Sequence, residues 1–212
     1  MRVLLVKQIM LVKEKFYRPI LFKKIIFLFK ITIILLFTTD ISFADLHKNI
    51  ISKLILTKTM SFNFQQKIAE KKEEGICFIK YPLLMKCEYK NAKGKILISN
   101  GKTIAIIKKK YKKIYRYPIK STPLFIILDK NKISNLIKNI QPTKVDSNTI
   151  EFEFIDKKMN KLVILFDSEN SELKGWKTVD AYSNNVSFII SNNTKNNQIV
   201  DSFFIIPKED DL

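Results

Sequence analysis

Few residues in this 212-residue chain have the type and spacing to do chemistry. The one histidine, His47, opens a helical pattern with no partner assembled beside it, and it reads as a solvated first-turn residue, not a base or a ligand. One histidine excludes a multi-His metal site, and two cysteines exclude a four-Cys zinc site. Gly75, Gly94, Gly101 and Gly175 lie too far apart to cradle a phosphate, and no Gly-x-Ser-x-Gly elbow occurs. Glu151 and Glu153 share one face of a strand pattern, the kind of carboxylate pair that acid/base hydrolysis uses. They alternate with Ile150, Phe152 and Phe154, however, and so read as a solvated outward ladder. The expectation is a protein without catalysis, cofactor or metal.

The charge balance raises a second possibility. Lys+Arg number 38 against 20 Asp+Glu, a formal net charge of +18. Lys108-Lys-Lys-Tyr-Lys-Lys-Ile-Tyr-Arg-Tyr117 interleaves bases with Tyr111, Tyr115 and Tyr117, as single-strand-binding faces do. Against nucleic acid stands the near absence of arginine: only Arg2, Arg18 and Arg116 offer the planar fork that reads bases and phosphates. No nucleic-acid partner is expected. The lysines read as a solvated surface, and the 108–117 run keeps a milder role open, toward anionic headgroups or an acidic partner.

Residues 1–44 carry Arg2, Lys7, Lys13, Lys15, Arg18, Lys23, Lys24 and Lys30 against Glu14 and Asp40. The apolar run Ile31–Phe37 follows, then Ser42-Phe43-Ala44, the order of a secretory signal cut after Ala44. An uncleaved anchor over the 19 residues from Ile25 to Phe43 is the alternative. Removal of 1–44 leaves 30 bases and 18 acids, +12, on residues 45–212. Export into an oxidising compartment bears on Cys77 and Cys87. The two are equidistant from Pro82 in a strand–turn–strand pattern, so they are either a disulfide across a hairpin or two small buried hydrophobes that face each other.

What positions these residues is a succession of period-two runs. Phe62, Phe64, Gln66 and Ile68 alternate with polar residues, as do Met85, Cys87 and Tyr89. So do Ile150, Phe152 and Phe154; Leu162, Ile164 and Phe166; and Val186, Phe188 and Ile190. With the turn residues between them, the pattern predicts eleven strands near 61–68, 75–80, 84–90, 95–99, 103–108, 113–118, 148–155, 161–167, 172–178, 185–191 and 199–206. Helical spacing appears at 45–58, at Pro123–Asp129 and over Ile133, Leu136, Ile137 and Ile140. Trp176 belongs in the core or at its rim. The expected fold is mainly β with helices: an antiparallel sheet curled into an incomplete barrel, its mouth covered by the helices. Its inward faces are rich in Phe and Ile and carry no charge. They could hold an aliphatic guest or pack against each other.

Over about 45–210 the chain resembles the LolA family, the periplasmic carriers of outer-membrane lipoproteins. Gly75-Ile-Cys-Phe-Ile-Lys-Tyr-Pro82 with Met85-Lys-Cys-Glu-Tyr89 is similar to the family's early hairpin, and Phe64-Gln-Gln-Lys-Ile68 to the strand before it. Ser99-Asn-Gly-Lys-Thr103 resembles a family turn, and Tyr117-Pro-Ile-Lys-Ser-Thr-Pro-Leu-Phe-Ile-Ile-Leu128 the approach to the lid helix. Phe203-Phe-Ile-Ile-Pro207 resembles the family's terminal strand.

The resemblance implies an incomplete eleven-strand barrel enclosing a hydrophobic cavity for lipoprotein acyl chains, lined by Phe62, Phe64, Met85, Tyr89, Ile150, Phe152, Phe154, Leu162, Ile164, Phe166, Val186, Phe188 and Ile190. Leu124, Phe125, Ile127 and Leu128 would form the lid. It implies a monomeric periplasmic carrier, loaded by an ATP-driven (ABC-type) inner-membrane transporter and delivering acylated lipoproteins to an outer-membrane acceptor protein or membrane surface. The alternative is an exported domain of the same fold that binds or senses lipid without ferrying lipoproteins. One position departs from the pattern: where the family places the arginine that ties its lid, before the hairpin proline, this chain has Tyr81, with Lys80 pointing to the other side of the strand.

Overall fold

In the computed structural model, residues 43–90, 93–155, 161–180 and 182–212 are described; of the expected export segment 1–44, residues 1–42 lie outside them. Phe43–Leu212 forms one compact unit, with its sheet, helices and apolar clusters complete within it. Its strands are β1 (Thr59–Ile68), β2 (Lys71–Lys80), β3 (Leu84–Tyr89), β4 (Lys95–Asn100), β5 (Thr103–Lys108), β6 (Lys113–Pro118), β7 (Lys144–Val145), β8 (Thr149–Ile155), β9 (Lys161–Asp167), β10 (Leu173–Val179) and β11 (Asn185–Lys195). All pairings are antiparallel, in the order β6-β5-β4-β3-β2-β1-β11-β10-β9-β8-β7. The sheet is therefore two meanders joined by one long-range pairing, β1 with β11, and β6 and β7 remain as separate edges.

Alternation decides which face is inside. Phe64 pairs with Gly75 and Ile190, Gly75 with Tyr89, and Phe152 with Ile164, so the apolar residues of successive strands fall on one concave face. Gly75 is the close-approach point of that face. A Cβ there would collide with the Glu88 carbonyl oxygen and the Phe64 ring.

Three helices fill the concavity: α1 (Phe43–Leu56), α2 (Leu124–Ile127) and α3 (Lys130–Lys138). In α1, Ile50 and Leu54 lie four residues apart and both are buried; in α3, Ile133 and Ile137 repeat the pattern. Asp129 caps α3, its carboxylate accepting from the backbone N–H groups of Asn131 at 3.1 Å and Lys132 at 3.3 Å. These residues join the concave face of the sheet in one continuous core.

The last expected strand, 199–206, is not a strand. Asp201–Phe204 is a 3-10 helix, and the eleventh strand is instead the short β7. A run such as Phe203-Phe204-Ile205-Ile206 has no period that selects a strand. In addition β11 is already paired on both sides, by β1 and β10, so the segment finds no free neighbour there. It docks on the outer face: the Phe203 ring meets Phe78 edge-on at 5.1 Å, and Ile206 packs on the cluster of Ile98, Ala105, Ile107 and Ile114.

Candidate functional site

The thirteen residues expected to line the interior come from β1, β3, β8, β9 and β11, and the register places all of them on the concave face. Twelve are buried; Phe154, near the free end of β8, is half-buried. Their centre is a row of rings that crosses the two meanders. Trp176 stacks on Phe188 with centroids 4.1 Å apart, and Phe188 stacks on Phe64 at 4.7 Å. Phe64 then meets Tyr89 edge-on at 4.9 Å. The Tyr89 hydroxyl donates to Gln66 Oε1 at 2.9 Å, which satisfies the one polar atom at the end of the row.

That end of the concave face is closed by charge. The Glu73 side chain is 6% exposed and lies 2.7 Å from Lys71 Nζ and 2.6 Å from Lys95 Nζ. Burial pushes the Glu73 carboxyl up, but the hydrogen bonds from Lys71 and Lys95 outweigh it and hold the group below the ordinary glutamate range. Lys95 Nζ also sits 3.9 Å from the centroid of the Tyr89 ring. Burial, followed by the negative charge of Glu73, pushes the Tyr89 phenol up.

The opposite end is closed by the helices. Of the expected lid residues, Ile127 and Leu128 are buried and Leu124 and Phe125 half-buried against the core. Leu83, in the β2–β3 turn, donates its backbone N–H to the Leu128 carbonyl at 2.8 Å, which fastens the lid to the hairpin. Tyr81 lies beside it, at a cis peptide bond to Pro82, and burial pushes its phenol up. A cation from α3 approaches Tyr81. Lys130 Nζ is 5.5 Å from the centroid of the Tyr81 ring and donates to the carbonyls of Ile55 and Thr57 at the end of α1, at 2.9 and 2.8 Å. Lys80 points outward, to Asp201 at 2.6 Å and the Ile199 carbonyl at 2.8 Å. Cys77 and Cys87 are directly opposed in β2 and β3 and form a disulfide on the concave side.

Two expectations need correction or completion. His47 is not solvated: its ring lies edge-on to Phe152 at 5.5 Å, with Nε2 2.9 Å from the Ile140 carbonyl. The cause is the seating of α1, which carries His47 against Phe152 of β8 and the chain just past α3. The interior also includes Met60, Ile79 and Leu173, which sequence alternation did not single out. Leu173 precedes a register shift in β10, where simple counting loses the face. Glu151 and Glu153 hold Lys177 at 2.9 Å and Lys161 at 2.8 Å on the outer face.

The fold is an open antiparallel barrel whose concave face, apolar at its centre and charged only at the Glu73–Lys95 end, is covered by helices. The sequence profile of the outer membrane lipoprotein carrier proteins, LolA, matches residues 56–207, and the chain belongs to that family. No curated protein sequence matches it. Solved structures that resemble it include a LolA superfamily protein from Nitrosomonas europaea, at 10% identity over 77% of this chain and 97% of the other, with a TM-score of 0.43. The lipoprotein LppX of Mycobacterium tuberculosis matches at 10% identity over 72% and 95%, TM-score 0.39. MucB in the Pseudomonas aeruginosa MucA/MucB complex matches at 6% identity over 78% and 61%, TM-score 0.46. At these scores the likenesses carry no functional weight, and the family assignment rests on the profile.

Proposed function

We propose that this protein is a periplasmic carrier that shields lipoprotein acyl chains and ferries lipoproteins from the inner to the outer membrane, without catalysis. The observation that carries the reading is the concave face itself: five strands contribute thirteen apolar side chains with no charge among them, and a lid is tied over them by few bonds. The family membership agrees with it. Residues 1–44 act as the export signal, and 45–212 is the carrier.

The energetics say why such a lid is needed. Burying acyl chain contributes ~0.8 kcal/mol per CH₂, so a sixteen-carbon chain is worth on the order of 12 kcal/mol. A soluble protein must therefore be loaded by an energised donor, an ATP-driven inner-membrane transporter in this reading, and must open to receive the chain. Here the interior is filled by its own side chains, and the crevice beside Tyr81 and Leu54 measures about 10 Å³, room for roughly one water. Cargo enters only as α1–α3 move off the concave face. The cargo is then passed, by a monomer, to an acceptor protein or to the outer-membrane surface.

Recovery of the protein from the periplasmic fraction tests this. Stoichiometric acylated lipoprotein in the bound fraction, with lipoproteins held at the inner membrane on depletion, is the expected outcome. A lipid-bound protein whose depletion leaves lipoprotein sorting intact would make it a lipid-sensing domain of the same fold. A cytosolic location would sink both readings.

A further inference from the structure

Lysine is not spread evenly over this protein. Three hairpin ends of the β1–β6 meander, residues 67–74, 90–95 and 108–113, hold eleven lysines and three glutamates, a net of +8. Residues 144–195, which contain β7–β11, hold seven bases and eight acids. There the outer face pairs its charges, as in Glu151–Lys177, Glu153–Lys161 and Asp167–Lys174. The positive charge of the described protein is thus gathered at one end of one meander.

The tips are stitched to each other. The Lys90 N–H donates to the Glu74 carbonyl at 2.7 Å, and the Lys109 N–H to the Gly94 carbonyl at 3.3 Å. Between them opens a groove of about 800 Å³ whose walls include Lys72, Lys90, Lys93, Lys108 and Tyr111. Among the described residues none of these four lysines has an ion pair, while Glu73 is already held by Lys71 and Lys95. Beside the lysines stand exposed rings. Tyr111 is 60% exposed, and Tyr115 and Tyr117, on the edge strand β6, are 45% and 46% exposed. Lys108 Nζ lies 5.2 Å from the Tyr115 centroid.

We propose that this end of the sheet docks on an anionic lipid bilayer, with the lysines over headgroup phosphates and Tyr111 seated in the headgroup layer. Mobile point charges beside half-wet tyrosines suit a diffuse anionic plane, and they lack the rigid arginine fork that a shaped polyanion or a bidentate carboxylate partner exploits. The one arginine nearby, Arg116, is directed to the Pro207 carbonyl at 3.3 Å. The inference rests on the hairpin ends and not on the identity of the cargo, so vesicle docking and cargo binding succeed or fail separately.

Co-sedimentation of the 43–212 unit with phosphatidylglycerol–phosphatidylcholine vesicles tests it. Binding is expected at low salt, is lost at high salt, and is absent on phosphatidylcholine alone. Replacing Lys72, Lys90, Lys93 and Lys108 by Gln should lower partitioning at least about 30-fold, and Lys72→Glu alone several-fold. The same charge removed at Lys48, Lys102, Lys120 and Lys138 should change it less than about threefold. Tyr111→Ser should weaken vesicle binding but leave binding to a polyglutamate peptide unchanged. Absence of vesicle binding, equal losses in the two quadruple variants, or polyglutamate binding as tight as vesicle binding would each overturn the proposal.

Discussion

Lys130 Nζ and the Thr57 carbonyl oxygen are 2.8 Å apart, and that contact, with the parallel one to Ile55, ties the lid to the end of α1. The last carbonyls of a helix carry its negative end, so a lysine there is favourably placed. Burial and the neighbouring Lys58 lower the Lys130 ammonium from its ordinary range, which marks the site as partly shielded from water. Lys130→Met should cost about 1 kcal/mol, discounted for the exposure of the group. It should also speed amide exchange in 124–138 ahead of the sheet. Unchanged exchange there would show that this contact does not hold the lid.

Glu73 gives a pH dependence. Its folded carboxyl lies below the ordinary range, so its contribution to stability is present above the unfolded value and is lost as pH falls through the folded one. Glu73→Gln should cost about 1–2 kcal/mol at neutral pH. Its acid-unfolding curve should fall less steeply than the parent's across and below the usual glutamate range. Parallel curves would remove Glu73 from the account.

Breaking the Cys77–Cys87 bond reopens a short loop, the two cysteines being ten residues apart. Unfolding in denaturant with and without a reductant should differ by about 2–3 kcal/mol. Because the bond lies in a strand pair, the reduced protein should keep its far-ultraviolet circular dichroism.

Gly75→Ala forces a methyl against the Glu88 carbonyl and the Phe64 ring. A loss of about 2–3 kcal/mol is expected, larger than any exposed Gly→Ala change gives. A tolerated alanine, read from the unfolding midpoint, would mean that the β1–β2–β3 approach is looser than described.

Trp176, the single tryptophan, reports on the interior because it stacks on Phe188. Binding of a long-chain acyl ligand should shift its fluorescence, and Phe188→Ala should shift it without ligand. An acyl ligand that binds and leaves Trp176 emission unchanged would place the chain away from the aromatic row.

Much of this interior was legible beforehand, since alternation assigns a residue to a face without knowledge of its partners. Phe62, Phe64, Phe152, Ile164 and Phe188 followed from period two alone, and the opposition of Cys77 and Cys87 from their symmetry about Pro82. The misses share a cause. The 199–206 run is apolar without a period, and its place depends on β11 having no free side. His47 looks solvated until α1 is laid on β8. The lysines at 72, 90, 93 and 108 look scattered until three hairpin tips are brought together.

By itself, then, the sequence determined ten of the eleven strands, their hairpin order and the side chains that face inward, because those depend on neighbours a few residues away. It also determined that the thirteen residues at the centre of the concave face would be without charge. The tertiary structure decided the pairing of β1 with β11, the seating of the helices, the approach of Lys130 to Tyr81 and to the end of α1, and the confinement of positive charge to one end. Those depend on contacts between residues tens of positions or more apart, where only summed packing over the whole core selects one arrangement.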